Sequence, residues 1–154
     1  MAIDIEVMAT SAVKKAIART DYLVPIIADK DKEPLWDGHI YAYGDGSKSN
    51  DSYIGRAPVQ LKGKIVKDCN EEKITYPISI SNLKGYRLDG GIIYFVVIME
   101  ETGDNETIFY VNLLPYVINN YIKMVEPDQK TVSVTLKRFP KEKNEVENLV
   151  FNFL

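Results

Sequence analysis

The sequence is poor in several residue types that often mark chemical or structural sites, with one cysteine, one histidine and one tryptophan. Because Cys69 is the sole cysteine, an internal disulfide and a CxxC metal knuckle are both excluded. No apolar run approaches the roughly 18 residues of a membrane helix, so no membrane span is predicted. A GxxxxGK[ST] loop is also absent, which argues against NTP hydrolysis within this segment.

The two ends of the chain give different indications. The N-terminal stretch, MAIDIEVMATSAVKK, lacks the basic start, apolar stretch and cleavage site of a secretory signal, so we expect a cytoplasmic protein. The last residues, ENLVFNFL, are apolar, and either dock on the core or mark a chain cut from a longer protein. We favour the second reading, in which residues 1–154 form a single domain at the N-terminal part of a larger protein.

There is also no excess of basic charge, since the net charge is −3. This argues against a protein that coats nucleic acid without specificity, because such binding depends on neutralising phosphates. The charge is unevenly spread, however. Residues 56–67 contain Arg56, Lys62, Lys64 and Lys67 and no acidic residue. This stretch is either a solvated strand face or a patch that holds a polyanion.

What the sequence does contain is a mixture of helical and strand patterns over 154 residues, enough for one domain with a core. The periodicities predict helices at 6–19, 81–91 (with Ser81 as N-cap) and 115–125. Strands are predicted at 22–28, 38–44, 57–66, 91–100, 106–114 and 130–139, with a further extended segment at 74–81. A polar connection follows the first strand, and TGDN at 102–105 is typical of a hairpin turn. The order predicts a mixed α/β domain in which residues 91–100 form the central strand.

The segment GRAPVQLKGK, residues 55–64, contains candidate residues for a catalytic site. Side chains alternate along a strand, so Val59 and Leu61 face a core while Gln60 and Lys62 share the opposite face. If strands 38–44 and 57–66 pair as a hairpin, Asp37 approaches Gln60. A carboxylate and a neighbouring amide oxygen are ligands for Mg²⁺ or Mn²⁺, and a nearby lysine stabilises charge on a phosphate.

The order Asp37, then Gln60-x-Lys62 on a strand after a β-hairpin, resembles the PD-(D/E)xK nuclease superfamily. More closely, the stretches WDGHIYAY, IGRAPVQLKGK, YPISISNLKGY and GGIIYFVVIMEE resemble the bacterial nuclease-like domain of unknown function 4365. The similarity runs from about residue 5 to 125. It implies a restriction-endonuclease-like fold, a mixed central sheet flanked by helices with an α-β-β-β-α-β core.

The resemblance also implies roles for individual residues. Asp37 would bind the metal, Gln60 would occupy the second acidic position, and Lys62 would be the catalytic lysine. Glu6, at the start of the first helix, is the nearest candidate for a further metal ligand. Arg56, Lys64 and Lys67 would bind nucleic acid.

At the level of the whole protein, the resemblance implies a Mg²⁺- or Mn²⁺-dependent DNA endonuclease. Some proteins with such domains defend bacteria against phage, and a C-terminal regulatory domain outside this chain would fit that role. A homodimer is compatible with a nuclease that cuts both strands of a duplex.

Other readings of the same residues stay open. Asp37 before Gly38 is also an ordinary turn residue, and Lys62, if buried in an apolar strand, would need an ion-pair partner such as Asp37. A neutral Gln60 predicts weak metal binding. The alternative function is therefore an inactive nuclease-fold domain that binds nucleic acid or protein. A plain protein-interaction domain is the third reading.

Overall fold

The computed structural model describes residues 4–28, 35–102 and 105–154, and its centre is a seven-stranded mixed sheet. The helices are α1 (Ile5–Ala18), α2 (Ile80–Leu88), α3 (Pro115–Lys123) and α4 (Lys143–Phe153). The strands are β1 (Leu23–Ile27), β2 (Gly38–Tyr43), β3 (Tyr53–Val66), β4 (Lys73–Ser79), β5 (Ile92–Glu100), β6 (Glu106–Leu113) and β7 (Thr131–Arg138). The predicted α/β class is thereby confirmed.

The strand order is β1-β2-β3-β5-β6-β7-β4, in which β3 and β5 are parallel and the other neighbours are antiparallel. The prediction of a central strand at 91–100 is confirmed, because β5 is the middle strand and is buried from Ile92 to Met99. Pro25 lies on the edge strand β1, where its missing N–H does not break a ladder on both sides.

Each face of the sheet has its own apolar core. On one face, α1 and α4 pack against β1, β2, β3 and β5 through residues such as Val13, Ile17, Val146 and Val150. On the other face, α2 and α3 pack against β5, β6, β7 and β4. The helices of the second face thus lie over the β5–β4 half of the sheet.

Two sequence-based predictions need correction, and one element, α4, was not predicted. Strand β3 begins at Tyr53, earlier than predicted, because it continues along β2 as far as Tyr43. The N-cap of α2 is Ser79 rather than Ser81, and the Ser79 hydroxyl accepts a hydrogen bond from the Asn82 amide at 3.0 Å. The apolar stretch near the C-terminus forms α4, which packs on the core. Part of the predicted polar connection (29–34) and of the TGDN turn (103–104) lies outside the described residues.

Candidate active site

The candidate site lies where β3 extends beyond the first residue of its neighbour β2. Strand β2 begins at Gly38, which pairs with Val59. From Gln60 to Val66, β3 continues paired only with β5. One edge of β3 is therefore left without a strand partner over this stretch, among the described residues.

Asp37 occupies the beginning of that open edge. Its backbone N–H donates to the Val59 carbonyl at 2.8 Å, and its Oδ2 accepts a hydrogen bond from the Leu61 N–H at 2.9 Å. The carboxylate thus replaces a missing strand partner and is held beside Gln60, as the hairpin prediction required. The structural reading of Asp37 as a turn residue describes only part of this role.

Gly38 is required by the close approach of β1 to this point. A Cβ at this position would clash with the carbonyl oxygen of Ile26 and would lie 2.7 Å from the Cα of Ile27. Both are backbone atoms that cannot move aside. The two residues of the DG pair in WDGHIYAY therefore have different structural roles. Asp37 places its carboxylate at the open edge of β3, and Gly38 allows β1 to approach closely.

A second glycine brings α1 to the same edge. A Cβ on Gly63 would lie 2.5 Å from Cγ2 of Ile5 and 3.2 Å from Cβ of Ala9, so the first turns of α1 rest directly on β3. The N-cap of the helix is Asp4, whose side chain accepts from the Val7 amide at 3.2 Å. This packing places Glu6 and the buried Thr10 beside the strand.

These elements enclose a cavity of about 320 Å³. It is lined by Ile5, Glu6, Thr10, Ala28, Asp37, Gln60, Leu61, Lys62 and Gly63. All of the residues assigned to catalysis and metal binding from the sequence, namely Glu6, Asp37, Gln60 and Lys62, line this one cavity. Glu6 and Lys62, which are 56 residues apart in sequence, meet there.

The side chains differ in their exposure. Asp37 and Gln60 are half-buried, whereas Glu6 and Lys62 are exposed. The concern that Lys62 is buried in an apolar strand is therefore wrong. An exposed Lys62 does not fit the reading of Lys62 and Asp37 as an ion pair sealed by apolar side chains.

Two buried tyrosines stand behind the site, and the sequence pattern did not single them out as a pair. Tyr94 pairs in register with Gln60, and its ring lies 6.4 Å from that of Tyr86. Burial, and to a lesser extent the negative charge of Asp37, together raise the pKa of Tyr86 to about 12. Burial also raises the pKa of Tyr94, with contributions from Tyr86, Tyr76 and Asp37. A neutral, poorly solvated wall thus lies close to the Asp37 carboxylate.

The basic residues predicted to bind nucleic acid are all exposed. Arg56, Lys62 and Lys64 alternate along β3, so they share one face of that strand, and Lys67 follows the end of β3. The Arg56 guanidinium donates to the Tyr41 hydroxyl at 3.1 Å and lies 5.9 Å from the centre of the Tyr41 ring.

The donor set of the site consists of oxygen atoms. Asp37 and Glu6 supply carboxylates and Gln60 an amide oxygen. Because the N–H and C=O of one strand residue point to the same side, the Leu61 carbonyl also faces the open edge. Oxygen ligands suit Mg²⁺ and Mn²⁺. Over residues 4–28, 35–102 and 105–154, no three side chains of His, Cys, Asp or Glu cluster in a metal-binding arrangement.

Comparison with models of known families, with curated proteins and with solved structures finds no match to this chain. No helix among the described residues is long and apolar enough to cross a membrane.

Proposed function

We propose that this chain is a metal-dependent phosphodiesterase domain that acts on DNA, with a restriction-endonuclease-like arrangement of its sheet and helices. The observation that carries the proposal is the single cavity at the open edge of β3, where Glu6, Asp37, Gln60 and Lys62 meet. A carboxylate pair, an amide oxygen and a lysine within one cavity are suited to hydrolysis of a phosphodiester.

Asp37, Gln60 and Glu6, with the carbonyl of Leu61, would hold one Mg²⁺ or Mn²⁺ ion. When bound, such an ion lowers the pKa of a coordinated water and offsets the charge of the scissile phosphate. The hydrogen bond from the Leu61 amide keeps Asp37 oriented towards the cavity. The poorly solvated wall of Tyr86 and Tyr94 strengthens electrostatic interactions at that carboxylate.

Lys62 lines the cavity and is exposed to solvent. There it would donate hydrogen bonds to the attacking water and to a non-bridging phosphate oxygen, stabilising the negative charge that grows in the transition state. Arg56, Lys64 and Lys67 would contact the DNA backbone without reading its sequence.

The test is cleavage of supercoiled plasmid in Mg²⁺ or Mn²⁺. We expect the wild type to nick the plasmid, and we expect Lys62→Ala to lower the rate by at least about a hundredfold, the range reported when one transition-state donor is removed. Lys130→Ala, which removes an exposed lysine far along the chain, is the matched control and keeps the wild-type rate. Circular dichroism and urea unfolding verify that both variants are folded.

A Lys62→Ala variant that still cuts at the wild-type rate would refute the assignment. Absence of cleavage by the wild type with either ion would be followed by calorimetric titration of Mn²⁺. Ion binding that is lost in Asp37→Asn would place a metal in the site and indicate that a regulatory domain or second subunit is needed for activity.

The second candidate is a nuclease-fold domain that binds nucleic acid without cutting it. It is favoured by the small number of charges in the site, since Gln60 is neutral and Glu6 is exposed. No detectable Mn²⁺ binding by the folded wild type, combined with DNA binding, would establish this candidate in place of the enzyme.

A further inference from the structure

The half of the sheet next to the candidate site has one face that the described helices leave uncovered. Strands β2 and β3 bury Ile40, Ala42, Ala57 and Val59 beneath α1 and α4. The side chains that alternate with these point to the other face. From β2 these are His39, Tyr41 and Tyr43, and all of them remain half-buried.

The rings on this uncovered face form one continuous series, which we call the aromatic ladder. It consists of Trp36, His39, Tyr41, Tyr53 and Tyr43. Successive ring centres are 6.2, 6.4, 6.0 and 5.8 Å apart. Two large side chains of this face are exposed to solvent. Tyr53 has 44% of its surface exposed, and Ile26 has 59%.

The aromatic ladder carries positive charge and leads to the candidate site. Arg56 stacks on Tyr41 in the middle of the series. By strand alternation, Gln60 and Lys62 share the face of Arg56, and the six residues from Arg56 to Lys62 span roughly 20 Å. At the beginning of β2, next to the candidate site, Trp36 directly precedes Asp37. The face and the cavity are thus parts of one surface.

The side chains of this surface indicate which class of binding partner it fits. An aliphatic groove would suit the apolar side of a partner helix, whereas stacked rings with an arginine among them suit bases and phosphates. Base faces are accessible in a single strand but are hidden by stacking in a duplex. Charge complementarity with phosphate and continuity with the cavity both favour a nucleic acid over a second copy of this chain.

We propose that the aromatic ladder binds single-stranded DNA, with bases stacked on Tyr41 and Tyr53 and phosphates beside Arg56. The bound strand then runs along β3 towards Lys62 and Asp37. The substrate class is therefore DNA with an unpaired segment. The identity of the polymer as DNA rests on the proposed function, whereas the stacking mode rests on the ladder itself.

The experiment measures binding in EDTA, where no metal-dependent cleavage occurs. Fluorescein-labelled dT12 and a 12-base-pair duplex are titrated with protein and followed by anisotropy. Trp36 is the only tryptophan; it is half-buried against the second core, and its ring lies 6.2 Å from that of His39, so a change in its fluorescence reports binding at that end of the ladder. We expect tighter binding of dT12 than of the duplex, together with quenching of the Trp36 fluorescence.

Variants separate stacking from charge. Tyr41→Leu and Tyr53→Leu should each weaken dT12 binding by about tenfold, a typical loss for one stacked base, whereas Tyr53→Phe keeps the ring and the affinity. Arg56→Gln should reduce the dependence of log affinity on log salt by about 0.7, the value for one phosphate contact on a single strand. The control is Tyr116→Leu, an exposed tyrosine on α3, which binds dT12 like the wild type.

Three results would overturn the proposal. These are equal affinity for dT12 and the duplex, wild-type affinity in a folded Tyr41→Leu/Tyr53→Leu variant, and a wild-type dimer that Tyr53→Leu dissociates in size-exclusion chromatography. Failure of the proposed function looks different. In that case, the wild type neither cuts DNA nor binds Mn²⁺, yet the wild type and Lys62→Ala both bind dT12 in a manner that depends on Tyr41 and Tyr53.

Discussion

At the scale of single residues, the least usual feature of the candidate site is an amide where a carboxylate would bind a cation better. Gln60 lies half-buried beside Asp37, and its strand position is fixed by pairing with Tyr94. An amide oxygen coordinates a divalent ion without neutralising its charge. The metal affinity of the proposed site should therefore respond strongly to this one position.

We predict that Gln60→Glu lowers the Mn²⁺ concentration needed for half-saturation by about tenfold, because a third charged ligand, beside Asp37 and Glu6, replaces a neutral one of the same length. Calorimetric titration of Mn²⁺ measures this shift. Asp37→Asn in the same series should abolish binding. An unchanged affinity in a folded Gln60→Glu variant would show that position 60 does not contact the ion.

At the scale of secondary-structure elements, the site depends on how closely α1 lies on β3. Gly63 permits this contact, and Glu6 occupies the first turn of the helix that rests there. The glycine of QLKG therefore determines the position of a side chain from another element. Its effect on the site is indirect.

We predict that Gly63→Ala destabilises the fold by about 1–3 kcal/mol, the usual cost of overpacking, and weakens Mn²⁺ binding because the start of α1 is displaced. The added methyl would lie 2.5 Å from Cγ2 of Ile5 and 3.1 Å from its carbonyl oxygen. Urea unfolding and calorimetry measure the two effects.

The matching control is the double variant Gly63→Ala/Ile5→Ala, which removes the closest side-chain contact and should recover part of both losses. Loss of stability without any change in Mn²⁺ binding would show that the position of α1 is unimportant for the site.

Elements with strong local patterns could be predicted from the sequence. The apolar β-branched run of β5 identified the central strand, and Pro115 marked the first residue of α3. Features that depend on contacts with other elements of the fold could not be predicted from the sequence. The first residues of β3 are exposed and become strand by pairing with β2, and α4 begins in a charged segment that obscures its apolar side.

The same distinction applies to the site. Asp37, Gln60 and Lys62 could be selected as candidate site residues from the sequence, because the motif depends on their spacing along two strands that pair. The sequence reading misjudged the burial of Lys62, because its exposure depends on where β2 begins. The proximity of Tyr86 and Tyr94 to Asp37 arises from the packing of α2 on β5, which no local pattern encodes.

At the scale of the whole molecule, the buried tyrosines link stability to alkaline pH. The pKa of Tyr86 is raised from 10.0 to about 12 by burial and then by Asp37, and burial raises the pKa of Tyr94 as well. The folded state therefore retains phenol protons that the unfolded chain releases above about pH 10. Their contribution to stability is present below that pH and is lost as the pH rises towards 12.

We predict that the free energy of unfolding falls by about 1 kcal/mol per pH unit above about pH 10 through Tyr86 alone. Urea unfolding at pH 8, 9.5 and 11 measures the decline. Tyr86→Phe has no proton to lose at this position and should decline less steeply. Identical slopes in Tyr86→Phe and the wild type would contradict the assignment.

The parallel pairing of β3 with β5 also sets the order in which the site can form during synthesis. Glu6, Asp37, Gln60 and Lys62 are all made before β5, yet residues 60–66 are ordered in the sheet by that later strand. A nascent chain lacking β5 holds every residue of the candidate site without a surface to arrange them. A domain proposed to cut DNA would thus remain inert on the ribosome until its middle strand has been translated.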